Sequence, residues 1–231
     1  MARAKHLFLD NREVEEIDNL ARKLHQPEKF ERNAVLRPEY RWENQMLRAG
    51  GSVTWDAEQQ LFKLIYLGTA SAPIGRAGSG EAMKLDASGE KGAMQHFPCY
   101  ASSEDGVNWE KPFLGLYDYD ELNWDGSPIG TKNNILPSIN GILRGPLYHA
   151  AEPDPKRRYK GLCFRGGGLY TYVSPDAIHW EELDLPPQSS ADVSELYLDE
   201  AEDLFVSTVK HRGPYGRSFF LSTSEDFRNW S

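Results

Sequence analysis

The sequence predicts an all-β fold in which a unit of antiparallel strands recurs along the chain. Three observations carry this prediction: a Ser-x-Asp-x-x-x-Trp motif occurs three times, short runs alternate apolar and polar residues, and 20 Gly with 14 Pro favour frequent turns. The 231 residues are 39% hydrophobic and 12% aromatic. They are therefore too apolar for a disordered chain and suffice for one large domain or two small ones.

Three copies of one motif define the repeat. They share a serine, an aspartate and a tryptophan at fixed spacing: Ser103, Asp105 and Trp109; Ser174, Asp176 and Trp180; Ser224, Asp226 and Trp230. An aspartate can accept hydrogen bonds from the backbone amides of its own turn, and a tryptophan ring can cover the hairpin that follows. We therefore predict a β-hairpin at each copy, with a structural rather than a catalytic aspartate.

A second hairpin is predicted before each motif. Residues 53–66, 147–164 and 196–205 each contain two alternating runs separated by a polar turn that an aspartate leads (Asp56, Asp154 and Asp199). Each unit thus supplies four antiparallel strands, which is the make-up of a propeller blade. We predict a β-propeller domain over residues 1–231, with an N-terminal segment at 1–47 and blades at 48–113, 135–184 and 190–231.

The remaining segments connect or extend these units. Residues 68–92 are rich in Gly, Ala and Ser and predict a loop, and residues 113–134 form an acidic, aromatic insertion. Residues 6–10 predict a strand, whereas residues 13–24 fit either a helical stripe or an irregular path, which we favour. Three blades are too few to close a ring, so we expect an N-terminal portion of a longer propeller, or closure by self-association.

Charge and hydropathy exclude several partners. With 26 Lys and Arg against 35 Asp and Glu, the net charge is −9, and an anionic surface repels the phosphates of nucleic acids. No apolar run approaches the roughly 18 residues of a membrane helix, and the start of the chain is too polar for a secretion signal. The expected location is cytoplasmic unless a signal has been removed, with no nucleic-acid or membrane partner.

Short motifs along nearly the whole chain follow a specific order. They lie at residues 7–10, 25–29, 33–38, 42–43, 100–112, 132–135, 154–160 and 222–227. In this order the chain resembles uncharacterised bacterial proteins related to glycoside hydrolase family 32. The resemblance implies a five-bladed β-propeller of the fructosidase and arabinanase type. It also implies that acidic residues from successive blades surround a sugar at the central axis, where cleavage requires two carboxyl groups.

Three carboxylates are the predicted catalytic residues. Glu43 follows Trp42, whose ring could stack on a sugar; the alternative is an ordinary surface glutamate, and Asp10 is a second candidate in this segment. Asp192 and Glu195 are predicted to open a strand of the third unit. Because they are three residues apart, they would face opposite sides of that strand, and only one would reach the axis.

The second unit departs from the family pattern. Its first strand reads Arg144-Gly-Pro where family 32 enzymes carry Arg-Asp-Pro, and the Trp-Met-Asn-Asp-Pro-Asn-Gly stretch is missing. Both departures favour an activity other than that of a fructosidase. Arg144 could bind hydroxyl groups through its planar fork. We predict substrate binding by Trp42, Arg144, His149 and Trp124, with a structural, hydrogen-bonded His149 as the alternative.

The expected function is a carbohydrate-active protein, and the sequence favours a glycoside hydrolase acting on an oligo- or polysaccharide. The alternatives are a non-catalytic propeller that binds sugars or proteins, and a partial assembly module. Cys99 and Cys163 are too few for a zinc site, and His25 and His96 lack partners at ligand spacing. No metal or cofactor is expected, although a structural Ca²⁺ in the acidic loops stays open.

Overall fold

The computed structural model describes residues 14–21, 23–71 and 94–231. Contacts divide the chain into two units, Met1–Ala34 and Val35–Ser231. The described residues of the first unit contain neither helix nor strand, so the helical stripe at 13–24 does not form over its described part. The strand predicted at residues 6–10 lies outside the described residues.

The second unit is built from β-strands, as the sequence predicts. Apart from two short 3-10 turns, Arg41–Glu43 and Pro155–Arg157, its described residues form no helix. The strands are β1 (Met46–Ala49), β2 (Thr54–Asp56), β3 (Leu61–Ser71), β4 (Met94–Ser103), β5 (Tyr119–Leu122), β6 (Pro128–Gly130), β7 (Ile142–Tyr148), β8 (Tyr159–Arg165), β9 (Gly168–Ser174), β10 (Glu181–Glu182), β11 (Gln188–Ser189), β12 (Leu196–Asp199), β13 (Leu204–Gly213) and β14 (Gly216–Ser224).

The strands form three principal antiparallel sheets, one for each predicted unit. In sheet 1, β1 and β2 pair with successive parts of β3, which also pairs with β4. Sheet 2 has the order β7-β8-β9-β10, with β11 also pairing with β9, and sheet 3 has the order β12-β13-β14. None of these sheets closes on itself within the described strands.

The turns of the three Ser-x-Asp-x-x-x-Trp motifs fold as their sequences predict. We call residues 103–109, 174–180 and 224–230 the Asp turns. In each, one aspartate oxygen accepts two backbone N–H groups at 2.7 or 2.8 Å: Val107 and Asn108 donate to Asp105, Ile178 and His179 to Asp176, and Arg228 and Asn229 to Asp226. Backbone hydrogen bonds, first that from Asn108, lower the pKa of Asp105 to about 2. The carboxylates therefore organise the turns in their ionised form.

The sheets pack face to face in chain order. Ile65 and Tyr100 of sheet 1 share a core with Leu143 and Tyr159 of sheet 2. A separate core joins sheet 2 to sheet 3, and its buried members are Leu162, Leu169, Val173, Leu196, Phe205, Val209 and Phe227. Strands β1 and β2 together form one edge of sheet 1, and β7 and β12 are edge strands of sheets 2 and 3; we call them the first strands of the sheets. Strand β7 contacts both β2 and β12, so these first strands are neighbours.

A cation from one sheet holds the Asp turn of the next. Lys63 of β3 donates from its Nζ to the backbone oxygen of Asp176 at 3.1 Å. At the following junction Arg157 donates to the backbone oxygen of Asp226 at 3.2 Å. The acceptor is the same position of the repeat in both cases, whereas the donors differ: Lys63 is a buried strand residue and Arg157 lies in the 3-10 turn before β8.

Two connections differ from the sequence prediction. Residues 68–71 of the predicted loop at 68–92 belong to β3, because they pair with residues 94–97 across the sheet; the rest of that loop lies outside the described residues. The insertion at 113–134 contains the hairpin β5-β6. Its Tyr119 and Ile129 share a core with Trp42 and thereby cover the outer face of sheet 1.

Replacing Asp176 with alanine tests the Asp turn as a structural element. The change removes the acceptor of the Ile178 and His179 amides, so we expect the free energy of unfolding to fall by about 1–3 kcal/mol in urea titrations. Glu181→Ala, at an exposed position in the neighbouring strand β10, is the control and should shift it by less than about 0.5 kcal/mol. Equal stability of the two variants would contradict a structural role for the turn.

Candidate functional site

One arginine side chain links the first strands of all three sheets. The Nη1 atom of Arg144, in β7, donates a hydrogen bond to the backbone oxygen of Gly50, which lies between β1 and β2. The same atom is 3.7 Å from Oε1 of Glu195, the residue directly before β12. We call Gly50, Arg144 and Glu195 the convergence cluster.

Glycines allow the backbones to approach closely at this cluster. A Cβ atom on Gly51 would lie 2.2 Å from the backbone oxygen of Gly145, so no side chain fits there. Gly145 itself has a φ of +148°, which residues with a side chain rarely adopt. The register of β7 against β8 also shifts between Arg144 and Leu147, a bulge that interrupts regular pairing beside the cluster.

The convergence cluster combines a held cation with an accessible carboxylate. The Arg144 side chain is only 16% exposed, whereas that of Glu195 is 62% exposed. The Nε atom of Arg144 is buried and has no hydrogen-bond partner among the described residues. The guanidinium is thus fixed in place and keeps a donor unused, and the neighbouring carboxylate is open to solvent.

Asp192 lies beside this cluster in the connection that leads into β12. The sequence predicts that it opens a strand, but β12 begins only at Leu196, so neither Asp192 nor Glu195 is in a strand and the expected alternation does not apply. Backbone bonds of Ala191 to Lys210 and of Thr208 to Glu195 still join this segment to β13. Side chains add to them: Val193 donates to Asp192 Oδ1 at 2.8 Å, and Glu195 donates its N–H to the Thr208 hydroxyl at 3.0 Å.

Electrostatics favour the ionised form of Asp192. The hydrogen bond from the Val193 amide, followed by the Lys210 ammonium, keeps the pKa of this carboxyl below its ordinary value. Lys210 Nζ lies 3.3 Å from Asp192 Oδ2. Asp192 therefore carries a negative charge at neutral pH and can act as a base or a nucleophile without first losing a proton.

Glu43 occupies a buried position in a hydrogen-bond network. Its side chain is 0% exposed, and its Oε2 atom accepts from Lys111 Nζ at 2.8 Å and from the Glu39 amide at 2.8 Å. Its Oε1 atom accepts from the Tyr66 hydroxyl. Burial, together with the nearby Glu43 carboxylate, raises the pKa of Tyr66 far above its ordinary value. Both oxygens of Glu43 are therefore engaged inside the protein.

The two predicted tryptophans lie in contrasting environments. Trp42 is 1% exposed, donates its ring N–H to Asn134 at 2.9 Å and stacks on Tyr40 with ring centroids 4.5 Å apart. Trp124 is 67% exposed, and the guanidinium carbon of Arg41 lies 4.4 Å from the centroid of its ring. Only Trp124 presents an accessible aromatic face of the kind a sugar ring stacks on.

His149 lies just beyond the end of β7, in the loop towards β8. Its Nε2 atom is 2.9 Å from Asp203 Oδ1, and its ring packs edge-on against Phe205. It is mostly buried, in keeping with the alternative of a structural histidine. The structure thus brings Arg144 and Glu195 together with Asp192 nearby, and places Glu43, Trp42, Trp124 and His149 in other surroundings.

The sequence analysis did not single out the basic side chains next to Asp192. Lys210, His211, Arg212 and Arg217 line a cavity of about 300 Å³ together with Asp192. The run Lys-His-Arg at 210–212 was the available signal, but only the hairpin β13-β14 brings Arg217 opposite Arg212. This cavity lies at the end of the β13-β14 hairpin, beside the connection that leads into β12.

The described ranges contain no group of three His, Cys, Asp or Glu side chains of the kind a metal site requires. No helix of the same residues has the length and apolarity needed to cross a membrane. Cys99 and Cys163 are both buried free thiols, and burial raises their pKa values, to about 12 for Cys163.

The burial of Glu43 leads to a measurable expectation. Glu43→Ala would leave the Lys111 ammonium buried without its carboxylate, so we expect a loss of about 3–5 kcal/mol in the free energy of unfolding, measured in urea. Adding Lys111→Met should restore part of the loss. Glu39→Ala is the control, because the Glu39 side chain is 60% exposed and its 3.6 Å contact with Lys111 is longer than the 2.8 Å contact of Glu43. A Glu43 variant as stable as this control would show that the network contributes little.

Comparison with models of known protein families finds no match, and comparison with curated proteins finds none either. The resemblance to glycoside hydrolase family 32 therefore has only the sequence motifs to support it.

Proposed function

We propose that the three sheets are consecutive blades of a β-propeller and that the protein is carbohydrate-active, acting as a glycoside hydrolase where the first strands meet. The observation that carries this proposal is the Arg144 side chain, which joins the first strand of sheet 2 to Gly50 of sheet 1 and Glu195 of sheet 3. Ligand sites of propellers lie on the axis, where such strands gather polar groups.

The packing of the sheets supports the propeller. Each sheet covers the next in chain order, and β7 lies against both β2 and β12. A propeller requires this succession, because its blades stack side by side with their first strands around a common axis. The repeated Asp turns and the repeated cation at each junction agree with blades related by rotation.

The chemistry of the site supports hydrolysis. Glycosidic cleavage uses two carboxyl groups, and Asp192 and Glu195 are the accessible ones beside the convergence cluster. Ionised Asp192 has the charge that a nucleophile or general base needs, and Glu195 supplies the second carboxyl group. Arg144 lies 3.7 Å from Glu195 and orients its carboxylate. Glu43, buried and fully bonded, positions the preceding segment.

One observation favours a second candidate, a propeller that binds sugars without cleaving them. Burial removes Glu43 from contact with a ligand, so both accessible carboxylates come from the same connection before β12. Catalytic carboxyl groups usually flank the scissile bond from opposite sides, and two groups in one connection serve binding equally well.

Two substitutions at the site separate these functions. We expect Asp192→Asn and Glu195→Gln each to lower the turnover of cleaved aryl glycosides by about 10²–10⁴-fold, the usual contribution of a general acid or base. Asp184→Asn is the matched control, because Asp184 is exposed and lies outside the cluster. Calorimetry on a glycan panel should show that all three variants still bind sugar.

Two outcomes of these assays would contradict the assigned carboxylates or the hydrolase. Unchanged turnover in both variants would remove the assigned carboxylates. Sugar binding with no product after prolonged incubation would favour the binding module over the hydrolase.

A further inference from the structure

The cavity beside Asp192 has a charge opposite to that of the protein as a whole. Three cationic side chains line it, Lys210, Arg212 and Arg217, against the single carboxylate of Asp192. The complete chain carries a net charge of −9. A positive cavity in an anionic protein concentrates anions locally, so its charge indicates that the ligand is an anion.

The two arginines are placed at an electrostatic cost. Arg212 and Arg217 are direct partners in the register of β13 and β14. Like charges directly opposite each other across two strands are destabilising. Lys210 is paired with Asp192 at 3.3 Å, whereas neither arginine has a carboxylate within 4 Å in the ranges that the structure describes.

The position of these charges connects them to the proposed active site. Lys210 and Arg212 are two residues apart in β13, so they lie on the same face of sheet 3. Asp192 joins the two regions, because it binds Lys210 and stands three residues before Glu195. Three residues span at most about 11 Å, so a saccharide of several units bound at the convergence cluster could also reach the cavity.

We infer that this cavity binds an anionic substituent of the saccharide, a carboxylate or a sulfate ester, and that the substrate class is an acidic glycan. The inference rests on the proposed function and narrows its substrate. Planar guanidinium groups bind such oxyanions through paired, charge-assisted hydrogen bonds. Bound anion would also offset the repulsion between Arg212 and Arg217.

Matched acidic and neutral probes test the inference on the whole chain. Calorimetry would compare oligogalacturonate with its methyl ester, sulfated dextran with unsulfated dextran, and polyaspartate as a polyanion without sugar. We expect one acidic saccharide to bind at least about tenfold more tightly than its neutral counterpart, and Arg217→Gln to remove most of that preference. Arg228→Gln, an exposed arginine of the third Asp turn, is the matched control and should leave it unchanged.

A stability measurement accompanies the binding assay. Because Arg217→Gln relieves the repulsion with Arg212, its melting temperature should equal or exceed that of the unmodified chain, so weaker binding would not reflect unfolding.

The outcomes separate this inference from the proposed function. Equal affinity for acidic and neutral saccharides, or an unaltered preference in Arg217→Gln, would overturn the anionic cavity and leave the carbohydrate function standing. Polyaspartate bound as tightly as the acidic saccharides, and released by Arg217→Gln, would show a cavity for anions in general and overturn the acidic glycan as its ligand. The absence of binding to every acidic probe would overturn the cavity, whereas the turnover assay above decides the carbohydrate function separately.

Discussion

The attachment of the second and third Asp turns to the preceding unit is the interaction on which the arrangement depends. Lys63 illustrates this interaction. Its ammonium is buried, and burial lowers its pKa by more than the nearby Asp56 carboxylate raises it. Such a cation is stable only when fully partnered, here by Asp56 at 3.2 Å, the Tyr159 hydroxyl at 2.6 Å and the backbone oxygen of Asp176. These partners come from sheets 1 and 2, so the same contacts that satisfy the charge also fix the position of one sheet against the next.

The candidate site follows from that stacking. Once the sheets are held face to face, β7 must pass between β2 and β12, and the glycines at 50, 51 and 145 allow the backbones to approach. The Arg144 side chain then contacts both Gly50 and Glu195 while its backbone remains part of β7. Glu195 belongs to this edge, and Asp192, three residues before it, leads to the arginine pair at 212 and 217 through Lys210, which is why we connect them as parts of one ligand site.

Local chemistry explains what the sequence could predict. The Asp turns were predictable because each aspartate binds amides only two or three residues away, and the strands because alternation reports a half-buried face. The burial of Glu43 was not, because its partners Lys111 and Tyr66 are 68 and 23 residues distant. The predicted start of β12 was also wrong. The hydroxyl groups of Ser190 and Thr208 bind backbone groups of residues 190–195 and interrupt the regular sheet ladder there. The pattern of polar residues alone does not predict such an interruption.

Amide hydrogen exchange tests the stacking most directly. Sheet 2 is covered on both faces, whereas β14 lies at the edge of sheet 3 and exposes Phe219 and Leu221. The amides of the central strand β8 should therefore exchange most slowly, and those of β14 should exchange much faster. Equal protection of β8 and β14, or rapid exchange throughout β8, would show that sheet 2 is not enclosed by its neighbours and would contradict the account.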